Sequence, residues 1–191
     1  MANEFYALMG RMRNITRWSL MRNTFSENIQ EHSHQVAMLA HALALIRTEI
    51  LHLEGPDADK CAVAALYHDA SETLTGDMPT PIKYYNPEIR AAYKQVEHIA
   101  AQRLVQMLPE RLQSVYAPLL MESDPQVNII VKAADKLSAY IKCIEEQKAG
   151  NTEFESAAAQ TMASMKEMGR EELNWFIDEC LPAFSLNLDQ L

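Results

Sequence analysis

Four residues in this chain carry metal-binding side chains at positions where one shared ion would explain them. They are His32 in "ENIQEHSHQ", His68 and Asp69 in "YHDASE", and Asp135 in "VKAADKLSAY". The pattern is H…HD…D, spread over three predicted helices that lie far apart in sequence. Imidazole and carboxylate donors without thiolates suit Mn²⁺, Co²⁺, Fe²⁺, Mg²⁺ or Zn²⁺ better than soft metals. Two nitrogen and two oxygen donors leave positions open on a five- or six-coordinate ion. Those positions could take a water and a substrate oxygen, which is a catalytic rather than a structural arrangement.

Each residue taken alone has an ordinary explanation. A His-Asp dipeptide is usually a surface or capping feature, Asp135 could pair with Lys132 or Lys136, and His32 could simply start a helix. Context favours the shared ion. His68 and Asp69 follow the apolar run "AVAALY", and Asp135 sits within "IIVKAADKLSAY". An unpaired charge in such surroundings would be strongly destabilising. Glu72 follows Asp69 by three residues and His68 by four, so on one helix it would share their face. It reads either as an acid/base group or as the partner of an i,i+4 hydrogen bond to His68. His34, His41, His52 and His98 read as structural or surface residues.

The elements that must carry these groups are all helical. Phe5, Leu8, Met9 and Met12 predict an amphipathic helix over residues 3 to 12, and "NITRWSLMRNTFSEN" predicts a loop holding Arg17, Trp18 and Arg22. A long helix is expected from Glu31 to His52, with Val36, Leu39, Ala40, Leu43 and Ile46 as its apolar stripe. Asp57 is a candidate N-cap for a helix from Ala58 to Leu74, which Gly76 and the prolines of "MPTP" should end. Further helices are expected over Pro87–Leu108 and from Pro109 to Leu120. Ser123 or Asp124 should cap another over Gln126–Ala149, with two more near Thr152–Met168 and Glu171–Cys180. The expected fold is all-α, with residues 1–191 forming one domain.

Composition agrees. Hydrophobic residues make up 48% and charged residues 23%, while Gly and Pro number only 5 and 8, too few for a turn-rich β architecture. A net charge of −9 argues against non-specific nucleic-acid binding, which needs a basic surface. Cys61, Cys143 and Cys180 are dispersed and odd in number, so they read as buried thiols in a reducing compartment. No signal-peptide pattern or long apolar stretch is visible, so a cytoplasmic location without a membrane span is expected.

The H…HD…D pattern resembles the HD-domain superfamily of metal-dependent phosphohydrolases. The blocks "NITRWSLMRN", "EHSHQVAM", "YHDASETLTGDMPTPIKYYN" and "VKAADKLSAYIKCIEE…AGNTEF" resemble more narrowly the bacterial 5′-deoxynucleotidases of the YfbR type. The resemblance implies an all-α HD helical bundle, a homodimer, and hydrolysis of deoxyribonucleoside 5′-monophosphates. It implies one divalent cation (cobalt, manganese or copper in the family) held by His32, His68, Asp69 and Asp135. His32, Asp69 and Asp135 would also border the substrate, and Glu72 would be the catalytic carboxylate. Arg17 and Trp18 would orient the phosphate, while Asp77, Met78, Pro79 and Thr80 would form the loop that holds the nucleoside. Asp77 in that stiff loop could meet the 3′-hydroxyl and leave no room for a 2′-hydroxyl; its ordinary role would be to cap the turn.

Three other readings are consistent with H…HD…D. One is an HD hydrolase for another nucleotide phosphate, such as a deoxynucleoside triphosphate or an alarmone. Another is a di-iron oxygenase, which would need additional histidines. The last is a non-catalytic nucleotide-binding module.

Overall fold

Side-chain oxygens start the long helices. Asn28 accepts from the N–H groups of Gln30 and Glu31, and Asp57 accepts from Lys60. Asn86 accepts from Ile89, and Asp124 from Gln126 and Val127. Each satisfies donors that a first helical turn leaves without an intrahelical partner. The computed structural model describes residues 3–83, 85–121 and 124–191, so Ser123, the other candidate cap, lies outside the described residues.

The helices in chain order are α1 (Phe5–Met9), α2 (Ile29–Leu45), α3 (Ala58–Tyr67), α4 (Glu72–Thr75) and α5 (Thr80–Lys83). They continue with α6 (Pro87–Gln106), α7 (Glu110–Leu120), α8 (Pro125–Lys148), α9 (Glu155–Glu167) and α10 (Glu171–Glu179). Among the described residues there is no β-strand, only one isolated antiparallel bridge between Thr16 and Asn28.

The expected apolar stripes are buried. Val36, Leu39, Ala40, Leu43 and Ile46 from α2 and its extension pack with Cys61 and Ala65 of α3 and with Ile130, Ala134, Leu137 and Ile141 of α8. Met165 of α9 and Leu173 and Phe176 of α10 close this core from the other side. A second cluster joins Phe5, Ala70, Leu104, Leu108 and Leu120, so α1, α6 and α7 pack beneath the turn that follows α3.

Several boundaries differ from expectation. α1 is shorter, and Met12 belongs to a separate 3₁₀ turn, Met12–Asn14. The second helix begins at Ile29 and continues past Leu45 as a π-helical turn, Ile46–Ile50. The most consequential difference is that the helix expected from Ala58 to Leu74 breaks after Tyr67. From His68 onward the amides bond three residues back: His68 to Ala65 (3.4 Å), Ala70 to Tyr67 (3.0 Å) and Glu72 to Asp69 (3.0 Å). This 3₁₀-like tightening eclipses residues i and i+3. Glu72 therefore no longer stands at the i+4 position of a continuous helix from His68. Gly76 ends α4 at φ 74°, as expected, but Pro81 lies in the first turn of α5, where its missing N–H is harmless. The prolines of "MPTP" thus open a short helix as well as closing the previous one.

The loop before α2 is fastened to the body by a buried charged pair. Lys142 and Glu146 on α8 are 2% and 0% exposed and hydrogen-bonded to each other. Lys142 also donates to the Phe25 carbonyl at 2.8 Å and stands 3.3 Å from the Phe25 ring centroid. Glu146 accepts from the Thr24 N–H (2.9 Å), the Thr24 hydroxyl (2.8 Å) and Asn151 Nδ2 (2.8 Å). Removing one member of a buried pair strands the other charge, which typically costs about 3–5 kcal/mol. Glu146→Ala is therefore expected to lose about 3 kcal/mol or more in urea denaturation, whereas the double replacement Lys142→Met/Glu146→Leu should lose less. A loss below about 1 kcal/mol for Glu146→Ala contradicts the assignment of this pair as the fastening.

Candidate metal centre

Three pieces of backbone converge on one point. The first turn of α2 supplies His32, the tight turn after α3 supplies His68 and Asp69, and the middle of α8 supplies Asp135. One donor atom each from His32, His68 and Asp135 lie within 4.8 Å of one another. His32 Nε2 is 3.0 Å from Asp135 Oδ1 and 3.6 Å from Asp69 Oδ2, and His68 Nε2 is 3.2 Å from Asp69 Oδ2. Donors bound about 2.1 Å from one ion stand roughly 3.0 to 4.2 Å apart, so these contacts have the spacing of a shared cation site.

The outer face of each imidazole fixes its tautomer. His68 Nδ1 lies 2.7 Å from the Ala65 carbonyl, which can only accept, so Nδ1 carries a hydrogen. His32 Nδ1 lies 3.1 Å from Ser138 Oγ, whose own hydrogen is donated to Gln35 Oε1 at 2.6 Å. The Ser138 oxygen therefore accepts from His32. In their neutral forms both rings direct an Nε2 lone pair inward. Both Nε2 atoms are buried without a hydrogen-bond partner, although carboxylate oxygens stand close by. The approach of His32 Nε2 to Asp135 Oδ1 is thus an electrostatic contact and not a hydrogen bond. A lone pair facing carboxylates at such range calls for positive charge between them, so the residues fit a cation.

The ionisation of the metal-free protein reflects the same demand. Burial opposes charge on His68, but Asp69 beside it, with help from Asp135, raises its pKa to about 9. Burial also works against the two aspartates, yet His68, His32 and Arg17 hold Asp69 well below the usual carboxylate range. The close contact and charge of His32, then the charge of His68, hold Asp135 near 2. Asp135 is less enclosed than its apolar sequence neighbours suggested: its side chain is 41% exposed, against 18% for Asp69. It lies on the open side of the site.

Glu72 is buried, and its Oε2 has no hydrogen-bond partner. The bond to His68 weighed from spacing does not form: His68 Nδ1 is taken by the Ala65 carbonyl, and its Nε2 has no hydrogen-bond partner. Burial first, then the charges of Asp69 and Asp77, push the Glu72 carboxyl up to about 9, with Arg17 and Lys83 acting against them.

Arg17 reaches the rim of the centre from the loop before α2, and Trp18 follows it in that loop. Arg17 Nη1 is 3.5 Å from Asp69 Oδ2, and burial of its guanidinium is outweighed by Asp135, Asp69, Glu27 and Asp77, which raise its pKa. Trp18 packs on Phe154, with ring centroids 5.3 Å apart. Beyond α4, Asp77, Met78 and Pro79 are half-buried and Thr80 is exposed. Burial raises the Asp77 pKa, and its carboxyl feels the charges of Arg17, Asp69, Lys83 and His32, so this loop borders the same cluster. Among the described residues Asp77 makes no side-chain hydrogen bond to its own turn, the capping role considered from sequence. Sequence reasoning missed Glu27, Gln35 and Ser138, which hold Arg17 and His32 from behind. No local signal marks them, because their partners lie elsewhere in the chain.

The remaining histidines stay apart from the centre: His34, His52 and His98 are exposed, and His41 pairs with Asp59 at 3.4 Å. Among the described residues no helix is long and apolar enough to cross a membrane.

Comparison with known proteins agrees with this geometry. The chain is 47% identical over 191 residues to a 5′-deoxynucleotidase of Erwinia tasmaniensis, covering 99% of this chain and 96% of that one. Its fold matches an HD-domain phosphohydrolase of Listeria innocua with a TM-score of 0.81 at 23% identity, over 95% of this chain and 88% of that one. It also matches the cyanophage S-2L HD phosphohydrolase DatZ, solved with dA and one catalytic Zn²⁺, with a TM-score of 0.64 at 22% identity over 90% and 93% of the two chains. Residues 4–184 match the family described as 5′-deoxynucleotidase YfbR-like. The chain is thus an all-α HD-domain protein and a member of the YfbR-like 5′-deoxynucleotidase family.

Proposed function

We propose that this centre carries out the 5′-deoxynucleotidase reaction of the family, converting deoxyribonucleoside 5′-monophosphates to deoxynucleosides and phosphate. In this reading His32, His68, Asp69 and Asp135 hold one divalent cation, with cobalt, manganese or copper as the family candidates. The observation that carries the reading is the pair of buried, partnerless Nε2 atoms facing two aspartates. Bound there, a divalent cation supplies charge neutralisation for a dianionic phosphate and a more acidic water.

The protein's own groups do the rest. Arg17 offers a planar donor fork to phosphate oxygens, and Trp18 shields that side from water. His32, Asp69 and Asp135 border the phosphate, while Asp77, Met78, Pro79 and Thr80 hold the nucleoside, with Asp77 on the 3′-hydroxyl side. Glu72 moves the proton at the reacting oxygens. Its carboxyl, raised first by burial, is of the kind suited to acid/base work. The reading includes residues 1–191 as one HD domain, a cytoplasmic location, and a homodimer.

The direct test is phosphate release from a panel of deoxy- and ribonucleoside monophosphates with several divalent cations. Chelator should abolish release and one of the family metals restore it, with deoxyribonucleotides preferred and with that preference lost in Asp77→Ala. Turnover unaffected by exhaustive chelation overturns the metal assignment. Glu72→Gln should keep its metal content and substrate affinity while kcat falls about 10²–10⁴-fold; an unchanged kcat excludes an acid/base role. Ser138→Ala should weaken divalent-metal affinity about 10–100-fold in calorimetric titration, because it frees the His32 ring to take the wrong tautomer and orientation. Unaltered affinity would show that Ser138 merely fills space.

A further inference from the structure

Glu27 lies outside the four-residue cluster, yet one of its oxygens ties together the two side chains read here as orienting the phosphate. Arg17 Nε donates to Glu27 Oε2 at 3.0 Å, and Trp18 Nε1 donates to the same oxygen at 2.9 Å. The backbone reinforces this arrangement: Arg17 N–H donates to the Glu27 carbonyl at 2.9 Å, and Ile29 N–H to the Ile15 carbonyl at 3.0 Å. Residues 15–17 and 27–29 therefore run as a short antiparallel rung around the Thr16–Asn28 bridge. The side chains of Arg17 and Glu27 are only 14% and 11% exposed, so this is an enclosed, charge-assisted contact and not a surface pair.

We infer that Glu27 is a positioning residue for phosphate recognition, holding Arg17 and Trp18 in their working orientation and holding Arg17 back from Asp69. The inference rests on the reading of Arg17 and Trp18 as the phosphate-orienting pair. Its physical basis is a competition for one guanidinium. Arg17 has acidic neighbours on two sides, Glu27 at Nε and Asp69 at Nη1, and the Asp69 contact at 3.5 Å is too long for a good hydrogen bond. With Nε anchored, the terminal N–H groups remain available at the edge of the centre. Without Glu27 the fork is free to rotate onto Asp69 and form a bidentate pair, which would consume both the donors meant for phosphate and the Asp69 lone pairs. Trp18 needs the same anchor because its backbone is left-handed at φ 58°, a conformation that a non-glycine residue keeps only when its surroundings hold it. The Nε1–Glu27 bond and the Phe154 ring supply that hold.

The test is a double-mutant cycle between Glu27→Ala and Arg17→Ala, read as inorganic phosphate binding to the manganese-loaded protein by calorimetry and as KM for a deoxyribonucleoside monophosphate. Glu27→Ala should weaken phosphate binding about tenfold in the wild-type background and less than twofold in the Arg17→Ala background. KM should rise in parallel, with kcat within about threefold. Glu27→Gln, which keeps an acceptor but loses the charge, should fall between wild type and Glu27→Ala, and it carries the test if the alanine variant does not fold. Equal factors in both backgrounds, or unchanged phosphate affinity in a folded variant, overturn the inference. The calorimetric arm does not require turnover. A wild-type protein that binds phosphate through Arg17 and Glu27 but hydrolyses no deoxyribonucleotide would sink the functional reading and leave this one standing.

Discussion

Two imidazole nitrogens sealed from solvent, each pointing at carboxylate oxygens and neither hydrogen-bonded, define the electrostatic problem around which this fold is arranged. Asp69 raises the His68 pKa, and the Arg17 guanidinium stands at the edge of the site. Both reflect the negative charge that the two aspartates gather there. The packing of α2, α3 and α8 brings the donors together, because one core binds Val36, Ala65 and Ile130 within a few turns of His32, His68 and Asp135. A defect in that packing would therefore be felt first as a change in donor spacing.

Around this centre the chain accepts local costs that neighbouring contacts offset. Trp18 adopts a left-handed backbone, the helix after α3 tightens into i→i+3 bonding, and a lysine and a glutamate are fully buried in α8. Each of these serves orientation more than stability. The buried pair secures the segment that carries Arg17 and Trp18, and the tight turn brings Glu72 within electrostatic reach of Asp69, whose charge helps burial raise its pKa. Strain and buried charge gathered at one place is the pattern expected of a site that must be preorganised.

Much of this was legible in the residues. The H…HD…D spacing identified all four converging groups, and the capping residues Asn28, Asp57, Asn86 and Asp124 stand where the helices start. The break at Tyr67 was not legible, because "AVAALYHDASETLT" is rich in good helix formers. What ends the helix is a set of competing bonds, with His68 Nδ1 on the Ala65 carbonyl and Thr73 Oγ1 on the Ala70 carbonyl at 2.7 Å each. Glu72 was singled out by a face argument for one continuous helix; the helix breaks, yet Glu72 still lies within electrostatic reach of Asp69. Asp135 was expected deeper than it lies, because the apolar stripe of α8 says nothing about the adjacent face that opens to solvent. Gln35, Ser138 and Glu27 act through partners 103, 106 and 10 residues away, separations that no local pattern encodes.

The most direct measurement is anomalous diffraction from crystals loaded with manganese or cobalt, collected at the metal's absorption edge. The account requires one peak bounded by His32 Nε2, His68 Nε2 and carboxylate oxygens of Asp69 and Asp135. A catalytically competent, metal-loaded crystal with no peak there, or with its peak bounded by other side chains, would contradict it.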